Sequence, residues 1–170
     1  MYRTLVVPLD GSKLAERALE QVSHVAEPGA HVYLLRVIQP SQRGLLGEEE
    51  LSRFDRARIE GARHYLAQVA ARISGFTIEP EVLAGHDPAA AIAGFARRRN
   101  AEVIIMSTHG ESGLARYVFG SVASKLLQLV SCPVLVVRPV GTPAEVEEEI
   151  ERELRADDEL RRLMEAPPVV

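Results

Sequence analysis

An α/β fold, an open five-stranded parallel sheet with helices on both faces, is what this chain predicts. Three observations point there. Short apolar runs alternate strictly with stretches of helical spacing from residue 3 to residue 138, the pattern of strand–helix–strand units around a parallel sheet. The runs LVVPL, HVYLLRVI, EVIIM and PVLVV are nearly continuous in Val, Ile and Leu, as strands buried on both faces are. Polar, glycine-bearing segments follow the first, second and fourth of the five runs, and open sheets of this type bind ligands outside the carboxyl ends of their strands.

The elements follow in order. Residues 3–9 read as the first strand, closed by Asp10-Gly11-Ser12, with Ser12 placed to cap a helix. Ala15, Ala18, Leu19, Val22, Val25 and Ala26 recur at helical spacing until Pro28-Gly29 stops them. Residues 31–38 form the second strand and residues 39–47 a loop. Leu51, Phe54, Ala62, Leu66, Val69 and Ile73 mark a long helix. Residues 77–84 form the third strand, and Pro80 assigns it to a sheet edge. Asp87 as N-cap and Pro88 at the first helical position open the next helix, whose buried face is Ile92, Phe95 and Ala96. Arg97, Arg98 and Arg99 close it as cations at a helix C-terminus, and Asn100 is a left-handed exit. Residues 102–106 are the fourth strand. Val122, Leu126, Leu129 and Val130 give the last helix of the domain, and residues 133–138 the fifth strand.

The domain thus spans residues 1–140. From Gly141 onward the composition changes. Residues 145–165 hold eight Glu, two Asp and four Arg, a net of −6. The whole chain carries −4, which leaves about +2 elsewhere. Val146, Ile150, Leu154, Leu160, Leu163 and Met164 make a rough apolar stripe, so residues 141–170 read as an acidic helical extension that leans on the domain or on a protein partner. A single cysteine excludes an internal disulfide and paired-cysteine zinc sites. The absence of a strongly basic face on the domain argues against nucleic acid as a partner. No apolar run approaches the roughly 18 residues needed to span a membrane, and the expected location is the cytoplasm.

The segment 107–121, STHGESGLARYVFGS, is the chemically suggestive one. Glycine lets backbone approach a ligand closely, and a helix start presents free amides that favour an anion. Gly120 and Ser121 stand just before the helix of Val122, Gly110 and Gly113 let the loop curl, and Arg116 and Lys125 supply positive charge. A phosphate cradle and a purely structural loop both fit. The spacing matches neither a Walker A loop nor the dinucleotide fingerprint. Asp10 is either a ligand contact or a turn residue bonding its own backbone, and His109 either meets a phosphate or fills the loop.

Gly110, nine residues, then Gly120-Ser121, an amphipathic helix and CPVLVV: this pattern resembles the universal stress protein family, as does LVVPLDGS followed by an alanine-rich helix. The resemblance covers about residues 2–140. It implies a Rossmann-like sheet in the order 3-2-1-4-5, a homodimer through the strand at 133–138, and an adenine nucleotide: ATP, with Mg²⁺ by charge balance, or AMP or ADP. Residue by residue, it implies that Pro8 and Asp10, with Leu9 between them, end the first strand at the ribose. The backbone of Val37 would pair with adenine. Gly110, Gly120 and Ser121 would form the phosphate loop, flanked by His109 and Val122, with Gly113 and Arg116 inside it. The family motif begins with glycine where this chain has Ser107. Neither a second aspartate two residues after Asp10 nor an aspartate at the end of the third strand is present, which argues against aspartyl phosphatase and receiver chemistry. No catalytic residue and no protein-bound metal ligand is assigned. The expected function is a nucleotide-dependent stress-response or signalling module with slow or no turnover. The alternative is a dimeric interaction module of the same fold without nucleotide.

Overall fold

A computed structural model describes residues 1–41, 48–107 and 120–138, with the side chains of 48–52 and 54 left aside. The extension at 141–170, most of the 39–47 loop and the heart of the 107–121 segment lie outside the described residues.

The chain folds as β1 (Tyr2–Pro8), α1 (Lys13–Glu16), a 3₁₀ turn (Arg17–Gln21), α2 (Val22–Val25), β2 (Ala26–Ile38), α3 (Glu48–Ala70), β3 (Thr77–Ala84), α4 (Pro88–Arg98), β4 (Val103–Ser107), α5 (Ser121–Leu129) and β5 (Val134–Val137). The five strands make one parallel sheet in the order β3-β2-β1-β4-β5. Pro80 lies in β3, at one edge, where its missing N–H costs no ladder bond. Residues on alternate sides of each strand feed two cores. Leu5, Val7, Val32, Leu34 and Ile105 pack with Ala18, Val22, Leu66 and Val69, under the first helical segment and α3. Val6, Leu35, Ile104 and Met106 pack with Ile92, Phe95, Ala123 and Leu126, under α4 and α5.

The first helix differs from the single regular rod that its spacing predicts. Its middle is wound as 3₁₀, with ψ of −22° at Glu16, −23° at Arg17 and −17° at Gln21. Apolar residues three apart serve a 3₁₀ turn as well as an α-helix, so the sequence pattern does not separate the two. Ala26 is not the helix's last buried residue but the first residue of β2. That strand carries Pro28-Gly29 within it, and its register with β1 jumps from Tyr2↔Ala26 to Thr4↔His31. Elsewhere the local signals hold. Ser12 accepts the Ala15 N–H at 3.0 Å, Asp87 accepts that of Ala90 at 3.2 Å, and Asn100 takes φ 50°. The arginine triplet is engaged in part: Arg99 pairs with Glu81 at 2.9 Å and lies over the Tyr33 and Phe95 rings. Leu129, expected on a buried face, is 46% exposed, and the inward face of α5 is Ala123 and Leu126.

Glu16 ties the first helix to α3. It accepts hydrogen bonds from Arg72 at 2.6 Å, from Lys13 at 3.3 Å and from the Tyr65 hydroxyl at 3.3 Å. Burial opposes the charged form, but the hydrogen bonds and charges of Arg72 and Lys13 outweigh it and hold the Glu16 pKa below the ordinary glutamate value. A depressed folded-state pKa gives stability that is present above the unfolded pKa and lost as pH falls through the folded one. Glu16→Gln is therefore expected to lower the melting temperature by a few degrees near neutral pH. The gap should close in acid, below about pH 4. Thermal melts across pH read this, and a gap that persists in acid would assign the effect to packing instead.

Candidate functional site

β1 and β4 are neighbours in the sheet, yet the chain runs from β1 outward to β2 and β3 before returning to β4. At this switch point the loops on the carboxyl ends part in opposite directions and leave a crevice. The crevice is a cleft of about 390 Å³. Pro8, Leu9 and Asp10 enter it from β1, Val37 from β2, Ser107 from β4, and Gly120, Ser121 and Val122 from the start of α5. Eight of the described residues singled out in the sequence therefore line one cavity; Lys125 does not. The other four, His109, Gly110, Gly113 and Arg116, lie outside the described residues.

Each group is set by local structure. Asp10 Oδ1 accepts the Ser12 N–H at 3.0 Å, the self-bonded turn, while the residue still faces the cleft. Gly11 follows with φ +103°, a conformation that L side chains rarely adopt, so the chain turns sharply after Asp10. Leu9 donates its N–H to the Leu35 C=O at 2.8 Å, and Gly85 donates to the Ile38 C=O at 3.0 Å on the opposite side of β2. Peptide groups alternate sides along a parallel strand. Those of Val37 therefore turn the same way as those of Leu35, toward the level where β1 bends away.

At the other end of the cleft, Gly120 is the N-cap of α5, and among the described residues no side chain caps that helix. The first helical bond runs from Ser124 N–H to Gly120 C=O at 2.9 Å, so the amides of Ser121, Val122 and Ala123 precede it without intrahelical acceptors. Ser121 is the first residue of the helix rather than its cap. Beside these amides Ser107 is 7% exposed, and its Oγ has no hydrogen-bond partner among the described residues. Leaving a hydroxyl buried and unpaired costs about 1–3 kcal/mol. Lys125 does not supply charge to the cleft as its sequence position implied. Its Nζ is held by Asp87 at 2.5 Å, an ion pair joining α5 to the cap of α4. That pair, followed by the Ala90 N–H, holds the Asp87 pKa low.

Sequence reasoning passed over Arg36, Gln39 and Arg58, which also line the cleft. Arg58 donates to the Gln39 C=O at 2.7 Å, and Gln39 donates to the His86 C=O at 3.0 Å. Together they brace the rim where β2 leaves the sheet. Arg36 carried a readable signal, a lone charge inside the apolar run HVYLLRVI. Arg58 carried none, being one of several charges on α3.

A crevice between β1 and β4, at the switch point of an open parallel sheet in the order 3-2-1-4-5, defines a Rossmann-like α/β domain. The chain belongs to the universal stress protein family: the pattern described as "Universal stress protein family" matches residues 1–138. It is 34% identical over 142 residues to universal stress protein MJ0531 of Methanocaldococcus jannaschii, covering 81% of this chain and 83% of that one. The solved structure of MJ0577 from the same archaeon has a TM-score of 0.74 at 28% identity, covering 84% of this chain and 99% of that chain. A universal stress protein solved in complex with cAMP shares the fold, with a TM-score of 0.55 at 20% identity over 82% of this chain and 98% of that one. Among the described residues no helix is long and apolar enough to cross a membrane.

Proposed function

We propose that the chain is an adenine-nucleotide-binding member of this stress-response family, taking ATP, or AMP or ADP, in the cleft between β1 and β4. One observation carries the reading: the first-turn amides of α5 and the Ser107 Oγ, neither with a side-chain partner among the described residues, meet at one end of the same cavity. Both are anion-seeking, and a phosphate would satisfy both. The base would lie at the other end, where the N–H and C=O of one lining residue, Val37, would match the donor–acceptor edge of adenine. Asp10 between them would accept from ribose hydroxyls. Serine in place of glycine at 107 then adds a hydroxyl for the ligand instead of removing backbone access. The cAMP complex belongs to a protein alike in fold, so the case for this chain rests on its own cleft.

Mg²⁺ would accompany ATP by charge balance. Phosphoryl transfer also needs an oriented nucleophile and a base. Asp10 is the one carboxylate among the described lining residues, so the chain reads as a binding module with slow or no turnover. The same proposal includes a homodimer through residues 133–138, because β5 is an edge strand whose Val134, Leu135, Val136 and Val137 are only half-buried. Light scattering reads the dimer as twice the chain mass.

Calorimetry with ATP and Mg²⁺ tests the main reading, and micromolar binding is expected. No heat and no thermal shift at millimolar ATP would overturn it and leave a nucleotide-free interaction module. Ser107→Ala sharpens the test. Removing an unpaired buried hydroxyl is expected to leave the ligand-free melting temperature unchanged or raised, while nucleotide affinity falls about tenfold. A variant that binds as tightly as the parent would remove Ser107 from the site.

A further inference from the structure

Arg36 is a cation built into a strand. Its guanidinium lies over the Tyr65 ring, 5.3 Å from the centroid. It also packs on Gly11, where a Cβ would stand 2.8, 2.9 and 3.0 Å from Nη1, Nη2 and Cζ. Glycine at that place gives room for the guanidinium as well as for the turn. Two contacts therefore fix the group, and its N–H donors radiate in its plane. Among the described residues the Arg36 guanidinium makes that ring contact and no hydrogen bond or ion pair. The donors are held in place, half-buried and unspent, in the wall of the cleft.

The position matters as much as the charge. Arg36 is on β2 and the α5 amides stand beyond β4, with β1 between. The cleft thus has anion-seeking groups at two ends, two strand spacings or ~10 Å apart. Asp10 lies at the end of β1, and both Asp10 and Arg36 act on the Tyr65 hydroxyl, in opposite directions. A carboxylate suited to ribose hydroxyls would by itself repel a phosphate on that ribose, and a neighbouring guanidinium reverses this. Dinucleotide folds show the same division of labour, an acid for a free ribose 2′-hydroxyl and an arginine for a 2′-phosphate.

We propose that Arg36 is a specificity residue for a second phosphoryl group on the 2′- or 3′-oxygen of the bound nucleotide, so that the cleft prefers adenosine bisphosphates to 5′-AMP. The proposal rests on the nucleotide reading above and adds the ligand class. A guanidinium meets a phosphate through two parallel hydrogen bonds, a geometry that a lysine does not reproduce.

Calorimetry on the full chain compares 5′-AMP, adenosine 2′,5′-bisphosphate and adenosine 3′,5′-bisphosphate. At least one bisphosphate is expected to bind about tenfold or more tightly than 5′-AMP, and which one it is separates the 2′ from the 3′ position. In Arg36→Gln the ratio of the Kd values for bisphosphate and monophosphate should collapse to about twofold or less, with Arg36→Lys intermediate. Circular dichroism establishes that the variants fold; should they not, the wild-type ratio alone decides. Bisphosphates that bind the wild type no better than 5′-AMP overturn the proposal and leave the nucleotide reading standing, as does a preference that survives in Arg36→Gln. Failure of every nucleotide to bind overturns both.

Discussion

Gly120→Val is expected to weaken nucleotide binding by a factor of about 100 or more while the protein stays folded. Gly120 is the N-cap of α5 with φ −51° and ψ 153°, a backbone open to any L residue, so valine introduces no left-handed strain. Losing glycine at an N-cap costs on the order of 1 kcal/mol or less, a shift of a few degrees in melting temperature. What valine does change is the space in front of the amides. Gly120 lines the cleft, so an isopropyl group added there is expected to crowd an approaching phosphate. Several charge-assisted bonds at about 1.5–3 kcal/mol each then lengthen together. Calorimetry with ATP, paired with a thermal melt, separates the two effects. Unchanged affinity would show that the phosphate does not sit at the start of α5.

Phe95→Ala is expected to produce the largest loss of stability among these variants, about 3–5 kcal/mol. Phe95 is 4% exposed on α4 and meets Tyr33 edge-to-face, with centroids 5.4 Å apart at 77°. Arg99 and Arg98 cover it at 5.5 and 6.0 Å. Truncation removes the ring, opens a cavity under the sheet and strips two cations of their stacking surface. Chemical denaturation measures the change. A loss below about 1 kcal/mol would mean that the core closes over the gap.

The sequence showed the architecture because each strand's burial on two faces is written in its composition. VIIM is apolar throughout since its residues feed cores above and below: Val103 and Ile105 one, Ile104 and Met106 the other. Caps were legible for a similar reason: Ser12 and Asp87 make bonds three residues away, within reach of local reading. The 3₁₀ winding between Glu16 and Val22 was not legible, because its spacing is shared with the α-helix. The site divided along the same line. Asp10, Ser107 and Gly120 stand at strand and helix ends, where the sequence alone places the crevice that they line. Lys125 was assigned to the phosphate because its partner, Asp87, is 38 residues away and meets it only through the packing of α4 on α5. Arg36 became meaningful only when Gly11 and Tyr65, remote in the chain, were found on either side of it.

The seam between β1 and β4 is short, with register pairs at Leu5↔Val103 and Val6↔Ile104 and a bond from Glu102 N–H to Thr4 C=O at 2.9 Å. Within the sheet, β3, β2 and β1 are joined along that line to β4 and β5, while on one face α4 packs on α5. Val37 and Asp10 belong to the first half, Ser107 and Gly120 to the second. A molecule lodged across the crevice would act as a clasp on the two halves, so occupancy would be felt as resistance to opening along the middle of the sheet.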